Sequence, residues 1–86
     1  MDDETLKTYG YVISSSYREK SVKSLNDGDK IPTDLAEDIG IRTNHISKVL
    51  RELKECGVAE CINEDVKKGR LYRLTDLGFE IVDNLD

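Results

Sequence analysis

Asn44, Lys48 and Arg51 are four and three residues apart, and at about 100° per residue on an α-helix they project in one direction. Glu55 continues the row, and Ser47 and His45 lie on its two flanks. The row combines an amide, an ammonium and a guanidinium. An amide can bond adenine bidentately, Arg or Lys can address the acceptors of guanine, and either cation can hold a phosphate. Arg42 and Thr43 precede the row, at the turn where a helix leaves backbone N–H groups free for an anion. No acidic side chain at Asn44, His45 or Ser47 opposes such a contact. A second group of cations, Lys67, Lys68, Arg70 and Arg73, surrounds Gly69, as in a charged loop tip that reaches a polyanion backbone or its minor groove.

These residues need elements to carry them. Ile46, Val49, Leu50 and Leu53 have the i, i+3, i+4, i+7 spacing of a buried stripe and predict a helix over 44–56, capped by Thr43 and stopped at Gly57. Before it, Thr33 reads as the N-cap of a short helix with Leu35, Ala36 and Ile39 inward and Gly40 at its end. An earlier helix over 17–25 has Ser16 and Glu19 spaced as a capping box, with Val22 and Leu25 inward. Lys30-Ile31-Pro32 between them is extended. After Gly57 the hydrophobic period changes to two, and residues 58–62 and 70–74 predict a β-hairpin with a basic tip. Thr75 caps a last helix in which Leu77, Ile81, Val82 and Leu85 face one way. Residues 1–14 form an N-terminal arm that stays open between helix and strand, because Leu6, Tyr9 and Ile13 have helical spacing while Tyr11-Val12-Ile13 favours a strand.

The chain has 86 residues, which argues for one domain over 1–86 and for a stability thin enough to profit from dimerisation. Its net charge of −5 argues against nucleic acid when taken whole. The charge is uneven, however: residues 42–73 carry net +3 between two ends of net −4 each. No apolar run is long enough for a membrane span, and the Met-Asp-Asp-Glu start lacks a basic leader, so a soluble cytoplasmic protein without a membrane partner is expected.

Cys56 and Cys61 lack the close spacing of a zinc or redox site and stand apart from His45, so neither a metal nor a cofactor is expected. Catalysis finds no support either: there is no Gly-rich phosphate loop, serine elbow or paired acid and base.

The three-residue link Gly40-Ile41-Arg42 forces its two helices to cross steeply. Ala36, Gly40 four residues later and Ile46 six after that resemble the helix-turn-helix pattern, over 33–56. The hairpin over 58–74 and Leu74-Thr75-Asp76-Leu77-Gly78 leading into a helix over 75–86 are similar to the winged variant in prokaryotic regulators of the MarR and ArsR type. The run Ile41 to Leu53 looks most like small archaeal members. The resemblance implies a mainly α fold with a small β-hairpin, a winged helix-turn-helix with an α/β wing. It implies a sequence-specific regulator of transcription that binds double-stranded DNA as a homodimer. Its contacts would be Arg42, Thr43, Asn44, His45, Ser47, Lys48 and Arg51 from the recognition helix, with Lys67, Lys68 and Arg70 from the wing. Apolar residues at both chain ends, Leu6, Tyr9, Tyr11 and Ile13 with Ile81, Val82 and Leu85, are the expected dimer surface. The rival reading is a protein-binding module of the same fold, in which Glu52 and Glu55 pair with Lys48 and Arg51 and neutralise the helix.

Overall fold

The structure, a computed structural model, describes residues 1–85. The open N-terminal segment is a helix, α1 (Asp3–Ile13). Its start is set by Asp2, whose carboxylate accepts the Thr5 N–H at 2.8 Å. That bond to Thr5 holds the Asp2 carboxyl below its usual range. Asp3 and Glu4 follow in the first turn, where the helix dipole favours negative charge. Thr5 and Val12 turn inward, whereas Leu6, Tyr11 and Ile13 stay exposed.

The second helix, α2 (Ser16–Asn26), begins one residue earlier than its sequence suggests. Ser15 is the cap, accepting from Arg18 N–H, and Ser16 is already helical. Glu19 closes no capping box and pairs with Lys23 one turn on. The next helix, α3 (Pro32–Ile39), is displaced in the same sense: Pro32 occupies its first turn and Ile31 is the cap, so Thr33 lies inside the helix. Proline suits that place because its fixed φ is helical and its missing N–H is not needed there. Lys30, just upstream, exchanges two backbone hydrogen bonds with Tyr72 at 3.0 and 2.9 Å.

Gly40 then turns the chain at φ 77°, the left-handed conformation that glycine adopts without strain. Its N–H and that of Ile41 both return to the Ala36 carbonyl at 2.9 Å. The helix that follows, α4 (Thr43–Glu55), has Arg42 as its cap residue rather than Thr43, and Cys56 as its C-cap rather than its last turn. Ile46, Val49, Leu50 and Leu53 are all buried, as their spacing predicts. Each side chain withdrawn in this way contributes about 1.5–3 kcal/mol.

The hairpin pairs β1 (Ala59–Cys61) with β2 (Tyr72–Leu74) antiparallel, Ala59 opposite Leu74 and Cys61 opposite Tyr72. Thr75 caps α5 (Asp76–Asp83) by accepting from Gly78 N–H, while its hydroxyl donates back to Gly57 and Val58 carbonyls. Asp86, the expected end of this helix, lies outside the described residues. Gly78 lets α5 lie directly on the start of the hairpin, since a Cβ there would stand 2.3 Å from the Val58 carbonyl oxygen.

One core unites these elements, with Val12, Val22, Leu25, Leu35, Leu53, Val58, Leu74 and Ile81 among its buried members. Leu77, Val82 and Leu85 pack against it, so the apolar stripe of the last helix is largely consumed inside the protomer. Among the described residues no helix is long and apolar enough to cross a membrane.

Candidate nucleic-acid interface

Burial of the α4 stripe leaves the opposite side of that helix outward. Arg42, Thr43, Asn44, His45, Ser47, Lys48 and Arg51 are all exposed. No side chain caps the first turn. The N–H groups of His45 and Ile46 return to the Arg42 carbonyl, at 3.0 and 3.2 Å, and those of Thr43 and Asn44 have no acceptor among the described residues. Two N–H donors at the positive end of a helix dipole thus face solvent. Ser47 donates its hydroxyl proton to the Thr43 carbonyl at 3.2 Å, which leaves its oxygen free to accept.

Two neighbours frame the row. His45 and Glu52 share one flank of α4, which α2 covers: the Tyr17 and His45 rings stand 6.1 Å apart, and Arg18 pairs with Glu52 at 3.2 Å. Ser47 and Lys54 share the other flank, where the wing is held by an ion pair between Lys54 and Glu64. This contact pushes the Lys54 ammonium up and the Glu64 carboxyl down from their ordinary values. Asn44, Lys48 and Arg51 lie between the two supports.

Arg18 has a direct electrostatic effect on that row. Spacing alone pairs Glu52 with Lys48, but the carboxylate is taken by α2. Lys48 consequently has no hydrogen-bond or ion-pair partner among the described residues, and Arg51 has none either, Glu55 one turn on making no ion pair with it.

The wing loop sorts its cations into two kinds. Lys67 and Lys68 at the tip are exposed and unpartnered among the described residues. Arg70 folds back, donating from Nε to the Val66 carbonyl at 2.8 Å and from Nη2 to the Glu64 carbonyl at 3.2 Å. Arg73 pairs with Glu60 across the hairpin at 3.1 Å. Of the four basic residues, Lys67 and Lys68 therefore stand without a partner among the described residues, Arg70 keeps its charge but is bonded to carbonyls, and Arg73 alone is ion-paired. Residues that the spacing did not single out do the supporting: Arg18 and Tyr17 on α2, Lys54 on α4, and Asn63 and Glu64 at the wing root.

Cys56 lies in the C-cap of α4, where its thiol donates to the Leu53 carbonyl at 3.5 Å and burial pushes its pKa up. Cys61 is half-buried on β1. Among the described residues no group of three or more His, Cys, Asp or Glu side chains is placed to hold a metal ion.

No protein-family model matches the chain, and no curated protein sequence matches it. A match is found among solved structures. The chain is similar to the solution NMR structure of a homodimeric winged helix-turn-helix DNA-binding domain, a fragment of a possible ArsR-family transcriptional regulator from Mycobacterium bovis. The TM-score is 0.70 at 19% sequence identity, covering 96% of this chain and 79% of that one. At this identity the likeness is one of architecture. Together with the five helices and one antiparallel hairpin found in this order among the described residues, it establishes that the chain has the winged helix-turn-helix fold.

Proposed function

We propose that this chain is a regulator of transcription that binds double-stranded DNA, with α4 in the major groove and the wing on the flanking backbone or minor groove. The observation that carries the reading is the outward row of α4. Lys48 stands unneutralised because Glu52 is drawn to Arg18, Arg51 makes no ion pair with Glu55 among the described residues, and Asn44 and an open first turn lie beside them. Asn44 and Arg51 read base edges, Lys48 serves a base acceptor or a phosphate, and Arg42, Thr43, His45 and Ser47 hold the register on the backbone. Lys67 and Lys68 add sequence-independent affinity. The acidic ends of the chain keep the rest of the surface off the polyanion. No cofactor or catalytic step enters this reading, and its setting is the cytoplasm.

The same reading includes a homodimer, the state described for the Mycobacterium domain of this fold. Two copies would address half-sites about one helical turn apart. Since Ile81 is fully buried and Val82 and Leu85 pack on the core, the apolar surface left for a partner copy is on α1, where Leu6 is 53% and Ile13 43% exposed, and at Phe79 of α5, 46% exposed.

Fluorescence anisotropy on arbitrary duplex DNA across a salt series tests the function. Affinity should fall steeply with salt, and Lys67→Gln with Lys68→Gln should flatten the slope by about 0.9 per lysine that neutralises a phosphate. Asn44→Ala should cost preference for a selected site more than general affinity. Absence of binding at ~50 mM salt, where phosphate contacts are strong, would assign the fold to protein–protein interaction.

A further inference from the structure

The wing loop is bonded internally from both of its arms. Asn63 accepts the Leu71 N–H on Oδ1 at 2.7 Å and donates from Nδ2 to the Gly69 carbonyl at 3.1 Å, closing the base. Arg70 spans the middle, reaching the carbonyls of Glu64 and Val66 on the opposite arm with the Nε and Nη2 donors of one guanidinium. Glu64 is held a second time, because its carboxylate receives Lys54 from the last turn of α4. A continuous line of contacts therefore runs from α4 through Lys54 and Glu64 to Arg70 and Val66. The next two residues in the chain are Lys67 and Lys68.

We infer that Arg70 is a positioning residue, which holds the wing loop in shape so that Lys67 and Lys68 are presented at a fixed distance from α4, and that it makes no contact with DNA itself. The inference rests on the DNA-binding reading for its consequence, and on the guanidinium geometry for its mechanism. A planar fork with donors at fixed spacing holds two carbonyls at once in a fixed geometry, which a lysine ammonium on a flexible stem does not. A loop ordered in advance also spares the ordering cost that a mobile loop incurs on binding.

The test compares wild type, Arg70→Lys, the double variant Lys67→Gln with Lys68→Gln, and that double variant carrying Arg70→Gln. Two readouts are taken: backbone 15N relaxation of residues 64–70 in the free protein, and duplex affinity across salt. Arg70→Lys keeps the charge, yet it should raise the mobility of the loop and weaken binding roughly tenfold, the equivalent of ordering about one residue. In the background lacking both lysines, Arg70→Gln should change neither affinity nor salt slope. Wild-type relaxation and wild-type affinity in Arg70→Lys would overturn the inference, as would a further slope change of about 0.9 from Arg70→Gln in that background, the mark of a direct phosphate contact. Failure of wild type to bind duplex would sink the DNA reading separately. The relaxation of Arg70→Lys still decides whether this side chain holds the loop, an unchanged loop counting against it.

Discussion

Replacing Arg18 by alanine should be among the most damaging single changes at the surface of this protein. The guanidinium donates to the Tyr11 carbonyl at 2.8 Å, to the Ser14 hydroxyl at 2.8 Å and to Glu52 Oε1 at 3.2 Å, and it lies 3.8 Å over the Tyr11 ring. It thereby ties the end of α1 and the middle of α4 to the first turn of α2. Its side chain is only 11% exposed, and that of Glu52 is 24% exposed, so solvent screens these contacts incompletely. A charge-assisted bond to the Tyr11 carbonyl contributes about 1.5 kcal/mol, the stacked cation about 0.5, and the partly screened ion pair about 1, or about 3 kcal/mol together. Set against roughly 4–13 kcal/mol for a domain of this length, that is a large share. The midpoint of thermal unfolding should fall by about 12–24 °C. Far-UV circular dichroism under urea and heat provides the measurement, with Glu52→Gln as a milder control that removes the ion pair alone. A loss below about 1 kcal/mol in Arg18→Ala would mean that water replaces these contacts almost fully, and the reasoning would fail.

Other positions test the packing more simply. Ser21 is fully buried on α2 and its hydroxyl has no hydrogen-bond partner among the described residues, so Ser21→Ala should stabilise the fold by about 1 kcal/mol in urea unfolding. Gly78→Ala should destabilise by more than about 3 kcal/mol or prevent folding, because the added Cβ meets the backbone oxygen of Val58 rather than a side chain that can move. At Gly10 the space beside the helix is open, and Gly10→Ala should strengthen α1 by about 0.5–1 kcal/mol within one protomer. Light scattering on that variant probes the dimer: a second copy packed closely on the exposed side of α1 would be loosened by the methyl group, whereas a dimer built elsewhere would keep its mass.

What the sequence discloses about this fold follows the range of each interaction. The stripe of α4, the Gly40 turn and the Thr75 cap depend on neighbours a few residues away, and all three are legible. Helix α1 is not, because Gly10 and the strand-favouring Tyr11-Val12-Ile13 oppose its helical spacing. The deciding signal is Asp2 acting as a cap on Thr5, a short feature at a chain end. The starts of α2 and α4 lie one residue before the expected place, and that of α3 two residues before it. Three consecutive serines offer alternative caps to α2, and a proline takes the first turn of α3 without any capping side chain. The surroundings of the site are the least legible part, since Glu52 and Arg70 choose partners by tertiary geometry. Local spacing assigns Glu52 to Lys48, and composition counts Arg70 among the free charges of the wing. The nearest hint was Asn63, a turn-forming residue six positions before Gly69.

The partner choice of Glu52 links folding to the proposed interface in a way that can be separated experimentally. In Arg18→Ala the carboxylate loses its guanidinium and becomes available to Lys48 one turn back, at the spacing where opposite charges on a helix attract by about 0.2–0.5 kcal/mol. Lys48 would then reach a phosphate or a base only after giving up that pair, and the carboxylate itself would repel the polyanion. Duplex affinity of the folded fraction should fall by roughly two- to fivefold, in addition to whatever stability is lost. Adding Glu52→Gln to Arg18→Ala should restore most of that affinity while leaving the stability deficit in place, because the amide neither attracts Lys48 strongly nor repels phosphate. Recovery of affinity without recovery of stability would show that Arg18 acts on DNA binding by sequestering a negative charge. If Glu52→Gln restores nothing, the loss must come from displacement of α4, and the electrostatic argument is wrong.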